Sequence, residues 1–250
     1  MKILCLHGTF TNAETFKAQI GPLTKLLEKP GVIEFEYIDG FVNAGVPAEF
    51  QDYYGSPPYY RWFDNGTEDI DDDPVNKFKA TPEGLAAEDA IRTAITGPTA
   101  TTSTAQLFIE KLFNILEADP EITGLLAYSE GAILAATTIL EEHRRLGRLG
   151  RPRQIKHAVF ISGWPPVRFC NDGFVRVALA DECDEVIDVP TCHVIGCNDP
   201  YIHGAMALFS LCDEDTATLF DHGKGHTVPR DGKTLEELAS AIRNTWTMAK

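Results

Sequence analysis

Leu125-Leu126-Ala127-Tyr128-Ser129-Glu130-Gly131-Ala132-Ile133-Leu134 is the stretch on which the fold turns. The apolar run Glu121 to Tyr128 reads as a strand buried on both faces, and the strong helix formers from Ala132 to Arg145 read as a helix. A strand that gives way to a helix through Ser-Glu-Gly makes a sharp turn. Such a turn lifts the serine hydroxyl out of the sheet and leaves it beside the first N–H groups of the helix. The spacing is that of G-x-S-x-G, with Ala127 in place of the first glycine: still small, but less tolerant of a tight turn. The alternative reading makes Ser129 an ordinary helix N-cap.

Outward from this junction the chain alternates strand and helix. Strands are predicted at Lys2 to Leu6, Val32 to Ile38, His157 to Ser162, Pro190 to Gly196 and Ala217 to Asp221. Helices are predicted at Asn12 to Glu28, Thr81 to Ala94, Ala105 to Glu117, Asp172 to Ala180, Ile202 to Cys212 and Leu235 to Met248. Pro22 is expected to kink or interrupt the first of these. Six strands separated by helices predict a three-layer α/β fold around a mostly parallel sheet. No repeat or linker divides residues 1–250, so one domain is expected. Residues 39–82 depart from the alternation. They carry Pro47, Pro57, Pro58 and Pro74, an aromatic cluster (Tyr53, Tyr54, Tyr59, Tyr60, Trp62, Phe63) and the acidic run Asp64 to Asp73. An excursion of that length reads as a lid-like insertion beside a binding site.

Composition narrows the class. The apolar fraction of 44% suits a globular protein, and a net charge of −15 (22 basic against 37 acidic residues) excludes nucleic acid and anionic membrane as natural partners. No run approaches the ~20 apolar residues of a membrane span, and no signal peptide is predicted. Cys5, Cys170, Cys183, Cys192, Cys197 and Cys212 show no metal-binding spacing; free thiols and a cytoplasmic location are expected. No phosphate- or dinucleotide-binding glycine motif stands in the required context, so no cofactor and no metal are expected.

A serine nucleophile needs a base, and the base needs an orienting carboxylate. The base is assigned to His226, in the loop Gly223-Lys224-Gly225-His226-Thr227-Val228-Pro229 after the last strand, ahead of His222 at the strand exit. The acid is assigned to Asp199 in Gly196-Cys197-Asn198-Asp199-Pro200. Asp221 remains a strand-end competitor, and Asp181, Asp184 and Asp188 belong to an acidic, solvated segment. Oxyanion donors are expected from the backbone of Glu130 and from Thr9 in the loop after the first strand, with Phe10 as the neighbouring candidate. The Glu130 side chain is expected to face solvent or brace a loop.

These features together resemble the FSH-type serine hydrolases, an α/β-hydrolase-fold family that includes fungal polyketide-releasing thioesterases. The resemblance spans nearly the whole chain. It rests on Leu6-His7-Gly8, Pro58-Tyr59-Tyr60-Arg61-Trp62-Phe63, Tyr128-Ser129-Glu130-Gly131-Ala132, Asp199-Pro200 and Gly225-His226-Thr227-Val228-Pro229. It implies triad roles for Ser129, Asp199 and His226 and oxyanion roles for Thr9 and Glu130. It places Tyr59, Tyr60 and Trp62, with Arg61 as a further substrate-binding candidate, at a substrate mouth. It further implies hydrolysis of acyl thioesters or esters, including release of polyketide-like or fatty acyl groups from an acyl-carrier domain. Ala127 and Lys224 depart from residues common in the family. A carboxylesterase for small oxygen esters, a peptidase and a non-catalytic binding protein on the same scaffold are the competing expectations. Oligomeric state is not legible.

Overall fold

The computed structural model describes residues 1–46, 54, 56–64, 84–95 and 100–249. Much of the predicted insertion lies outside the described residues, including Pro47, Tyr53, Pro74 and the acidic run beyond Asp64; so does the start of the predicted Thr81 to Ala94 helix.

Six strands form one sheet: β1 (Lys2–Leu6), β2 (Glu34–Ile38), β6 (Ile122–Tyr128), β7 (His157–Ile161), β10 (Thr191–Ile195) and β11 (Ala217–Asp221). Their order is β11-β10-β7-β6-β1-β2, with every neighbouring pair parallel. Parallel neighbours require crossovers: α1 (Ala13–Leu27) joins β1 to β2, α3 (Thr102–Ala118) leads into β6, α4 (Glu130–Leu149) joins β6 to β7 and α5 (Ile202–Ser210) joins β10 to β11, while α6 (Gly232–Met248) follows the last strand. Shorter elements are β3 (Val42–Asn43), β4 (Tyr60–Arg61), α2 (Ala87–Ala94), β5 (Ala100–Thr101), β8 (Val167–Phe169) and β9 (Phe174–Val177).

The period-2 geometry of each strand sends alternate side chains to opposite faces. Ile3, Cys5, Val159, Ile161, Cys192 and Val194 pack against Phe16 and Ile20 of α1 and Leu238 and Ile242 of α6. Leu4, Leu6, Ala127, Ala158 and Phe160 face the other way, onto Leu112 and Phe113 of α3 and Leu134 and Ile139 of α4. The result is the three-layer architecture of the α/β hydrolases, with each strand's carboxyl end free to carry a loop.

Two expectations need correction. Pro22 lies inside a continuous α1; it sits on the exposed face of that helix, where the carbonyl it leaves without a donor meets solvent. Residues 172–180 form no helix. Gly173 takes φ +84°, the Asp172 carboxylate accepts the Phe174 N–H at 3.2 Å, and Phe-Val-Arg-Val runs back as β9 against β8. An Asx-Gly turn before β-branched residues overrode helix propensity there.

Candidate active site

β6 ends at Tyr128, and Ser129 follows with φ 52° and ψ −119°. Positive φ is unfavourable for a residue with a Cβ, and such strain persists only where the surroundings over-determine it. Here Ser129 N–H is held by the Ile161 carbonyl at 3.0 Å, and Ala132 N–H by the Ser129 carbonyl at 3.0 Å. Gly131 makes the turn possible, because a Cβ there would lie 2.6 Å from the carbonyl oxygens of both Leu6 and His7. Ser129 occupies the N-cap position of α4, yet its side chain caps nothing. Its hydroxyl instead donates to His226 Nε2 at 3.1 Å.

His226 Nδ1 donates in turn to Asp199 Oδ2 at 2.8 Å. The two loops bearing these residues nest closely. A Cβ on Gly196 would lie 2.0 Å from the Lys224 carbonyl oxygen, Asn198 N–H donates to that same carbonyl at 3.1 Å, and the Asn198 side chain reaches the Gly223 carbonyl at 2.9 Å. The Asp199 side chain is only 2% exposed. Burial pushes its pKa up, but the bond to His226, the charge of His226 and the Tyr201 N–H on its other oxygen at 2.8 Å outweigh burial. The carboxyl is held below the usual carboxylate range. The competitors fall elsewhere: Asp221 accepts the N–H groups of Cys197 and Gly223, bracing the turn, Asp181 pairs with Arg92 and Asp188 with Arg153.

Two tyrosines that sequence reasoning left unassigned flank His226. The Tyr128 hydroxyl donates to the His226 carbonyl at 3.2 Å, and its ring stacks on Phe16. Tyr201 meets the imidazole edge-on. Their positions, next to Ser129 and two residues past Asp199, were the available signals.

The loop after β1 forms the other wall. Gly8 lies so near the elbow that a Cβ there would be 3.3 Å from Ser129 Cβ. Phe10 is excluded as an oxyanion donor, since its N–H is committed to the Tyr60 carbonyl at 2.9 Å. Among the described residues Thr9 N–H has no hydrogen-bond partner. His7 is fully buried; Gly40 N–H donates to its Nε2 at 2.8 Å, and its Nδ1 donates to the Gly8 carbonyl at 2.6 Å. Burial lowers its pKa, so it stands as a neutral loop support.

The four expected substrate-binding side chains separate. Trp62 is 0% exposed, donating its indole N–H to the His7 carbonyl at 2.6 Å, so it is core and not mouth. Tyr59 is also buried. Arg61 pairs with the Glu130 carboxylate at 3.4 Å. Tyr60 is half-buried, with its backbone paired to Phe10 and Thr11. The Glu130 side chain braces a loop, accepting the Trp62 N–H at 2.9 Å. Among the described residues no group of histidine, cysteine and carboxylate side chains could hold a metal, and no helix is long and apolar enough to cross a membrane.

Residues 1–238 match the family described as "Serine hydrolase (FSH1)". Among curated relatives, the chain is 28% identical to "Hydrolase phiM" of a fungal species, over 97% of this chain and 93% of that one. It is 28% identical to "Esterase FPY3" of Fusarium mangiferae, over 100% and 98% of the two chains. It is 25% identical to "Thioesterase FSL2" of Gibberella zeae, over 99% and 93%.

Proposed function

The chain belongs to the FSH1 family of serine hydrolases, and from that premise we propose that it cleaves acyl thioesters and esters through a covalent intermediate on Ser129. The observation that carries this reading is the unbroken line from Ser129 Oγ through His226 to Asp199, with bonds of 3.1 and 2.8 Å. A nucleophile, a base and an orienting carboxylate in that sequence are what acyl transfer requires.

In this reading His226 Nε2 takes the hydroxyl proton as Ser129 Oγ bonds to the acyl carbon. The carbonyl oxygen becomes an oxyanion held by the N–H groups of Thr9 and Glu130, the latter at the positive end of α4. Collapse breaks the bond to the leaving thiolate or alkoxide, which receives the proton from His226. Water then gives a proton to His226 and attacks the acyl carbon; the bond to Ser129 Oγ breaks, the acid leaves, and His226 returns the proton to Oγ. Asp199 holds the imidazole with Nδ1 protonated throughout and stabilises its cationic form.

The leading substrate is a thioester of a polyketide-like or fatty acyl group, presented on a small thiol or an acyl-carrier domain; the relative named as a thioesterase supports it. The second reading, an oxygen-ester carboxylesterase, is favoured by the relative named as an esterase. The same proposal treats residues 1–250 as one domain, with the described part of the insertion at about 39–82 bordering the site. In its support, residues 58–62 run across Phe10, Thr11 and Asn12 beside the elbow. A cytoplasmic location belongs to it too, supported by thiols at Cys5, Cys192 and Cys212 that pack as buried apolar groups.

Steady-state hydrolysis of matched acyl-pantetheine thioesters and oxygen esters, by wild type and Ser129→Ala, tests the proposal. Turnover biased to longer or aromatic thioesters and lost in Ser129→Ala is the expected result. Ser129-dependent preference for short oxygen esters would select the second reading, and undiminished turnover by Ser129→Ala would overturn both.

A further inference from the structure

We infer that the side chain of Glu130 is a positioning residue that holds the two oxyanion donors in register. The inference rests on the reading of Ser129, Thr9 and Glu130 given above, and extends it to a group with no part in the reaction itself.

The loop that carries Thr9 includes a residue in an unfavourable backbone conformation. Phe10 has φ 61°, a region that a bulky side chain avoids. What imposes that conformation is the strap of residues 58–62. The Phe10 N–H donates to the Tyr60 carbonyl at 2.9 Å, the Tyr60 N–H to the Thr11 carbonyl at 2.8 Å, and the Asn12 side chain to the Pro58 carbonyl at 2.8 Å. One step further along the strap, the Trp62 indole N–H clamps the His7 carbonyl at 2.6 Å. The loop is therefore gripped on both sides of Thr9.

The strap is itself tied to the nucleophile helix by the Glu130 side chain. Glu130 Oε2 accepts the Trp62 backbone N–H at 2.9 Å, and Oε1 faces the Arg61 guanidinium at 3.4 Å. Glu130 thus offers its backbone N–H on one side of the oxyanion position. Through its carboxylate it fixes the loop bearing the Thr9 N–H on the other. Arg61 and Glu130 are 13% and 11% exposed at the side chain, so solvent screens the pair weakly. An unpaired carboxylate beside a developing oxyanion would oppose it, and the guanidinium cancels that repulsion. A donor displaced by a fraction of an ångström stabilises the tetrahedral state less while leaving ground-state binding nearly unchanged.

The test uses the full chain, one activated acyl ester, and a trifluoromethyl ketone that adds to Ser129 to give a tetrahedral oxyanion. In Glu130→Ala, kcat is expected to fall about 30- to 100-fold with KM changed less than about threefold, and ketone affinity to fall in parallel. Glu130→Gln, which keeps an oxygen for the Trp62 N–H, should recover to within about tenfold of wild type. If Glu130→Ala does not fold, Glu130→Met carries the test, because it keeps the length of the side chain and offers the Trp62 N–H no oxygen; the same paired loss is expected. A kcat within twofold of wild type, or a loss in kcat with unchanged ketone affinity, would overturn the inference. Ser129→Ala run alongside separates the two claims. Its inactivity beside a fully active Glu130→Ala overturns the positioning role alone, whereas an active Ser129→Ala overturns the underlying reading as well.

Discussion

The ring of Tyr201 meets the imidazole of His226 edge-on, with centroids 5.0 Å apart and planes at 89°. Tyr201 is also bonded through its N–H to Asp199, so one residue contacts both members of the His226–Asp199 pair. An edge-to-face contact walls the imidazole without bonding to either ring nitrogen. Tyr201→Ala is expected to lower kcat about tenfold, with a smaller effect on melting temperature than an internal core truncation. Steady-state kinetics paired with thermal unfolding check this.

Asp199→Asn should be far more damaging, because an amide can donate to Nδ1 and select the wrong tautomer. A loss in kcat on the order of 10³- to 10⁴-fold is expected with little change in KM. The lowered pKa of Asp199 also sets a sign for stability. A carboxyl depressed in the folded state stabilises the fold above its unfolded pKa of about 3.9, and that contribution disappears as pH falls through the folded value. The urea-unfolding midpoint of Asp199→Asn should therefore fall less as pH drops below about 4 than that of wild type.

Much of this was legible before any coordinates. Leu125 to Gly131 combined a buried strand, small residues and a helix start, three local signals that agree, and the elbow follows from them. Asp199 and His226 were legible because each stands in a turn-rich loop directly after an apolar strand, and a parallel sheet carries all such loops to one edge. What escaped was set by long-range contact. Nothing local announces that Trp62, in an aromatic run suited to a substrate mouth, is buried under the His7 carbonyl. Nor does sequence show that Phe10 N–H is taken by Tyr60. The hairpin at 167–177 was missed because Phe174 to Ala180 also suits a helix, and Gly173 was not read as a turn.

Buried histidines away from the site give a pH prediction of opposite character. Burial pushes His157 down to about 4 and His193 to about 3. Both remain neutral in the fold while the unfolded chain binds protons below about 6.5. Stability should thus be complete above pH 6.5 and decline as pH falls from 6.5 toward 4, each histidine contributing a slope of up to about 1.4 kcal/mol per pH unit. His193→Gln, which keeps a polar partner for Thr191, should reduce that slope by up to about 1.4 kcal/mol per pH unit. Urea midpoints at pH 7.5 and pH 5 for both proteins would show it, and parallel declines would refute it.

Gly196 couples the Asp199 loop to the His226 loop through backbone contact alone. In Gly196→Ala the new methyl would meet the Lys224 carbonyl at 2.0 Å, and backbone on both sides must move. A stability loss of about 1–3 kcal/mol is expected, with a disproportionate loss of activity because His226 moves with Lys224. Stability and kcat measured on one preparation separate the two effects.

The most direct test of the central claim is intact and peptide mass spectrometry of the enzyme acid-quenched during turnover of a slowly hydrolysed acyl ester. The account predicts a transient mass increase equal to the acyl group, located on the peptide containing Ser129 and absent in Ser129→Ala. An acyl group carried by another residue, or turnover by Ser129→Ala at the wild-type rate without any adduct, would contradict it.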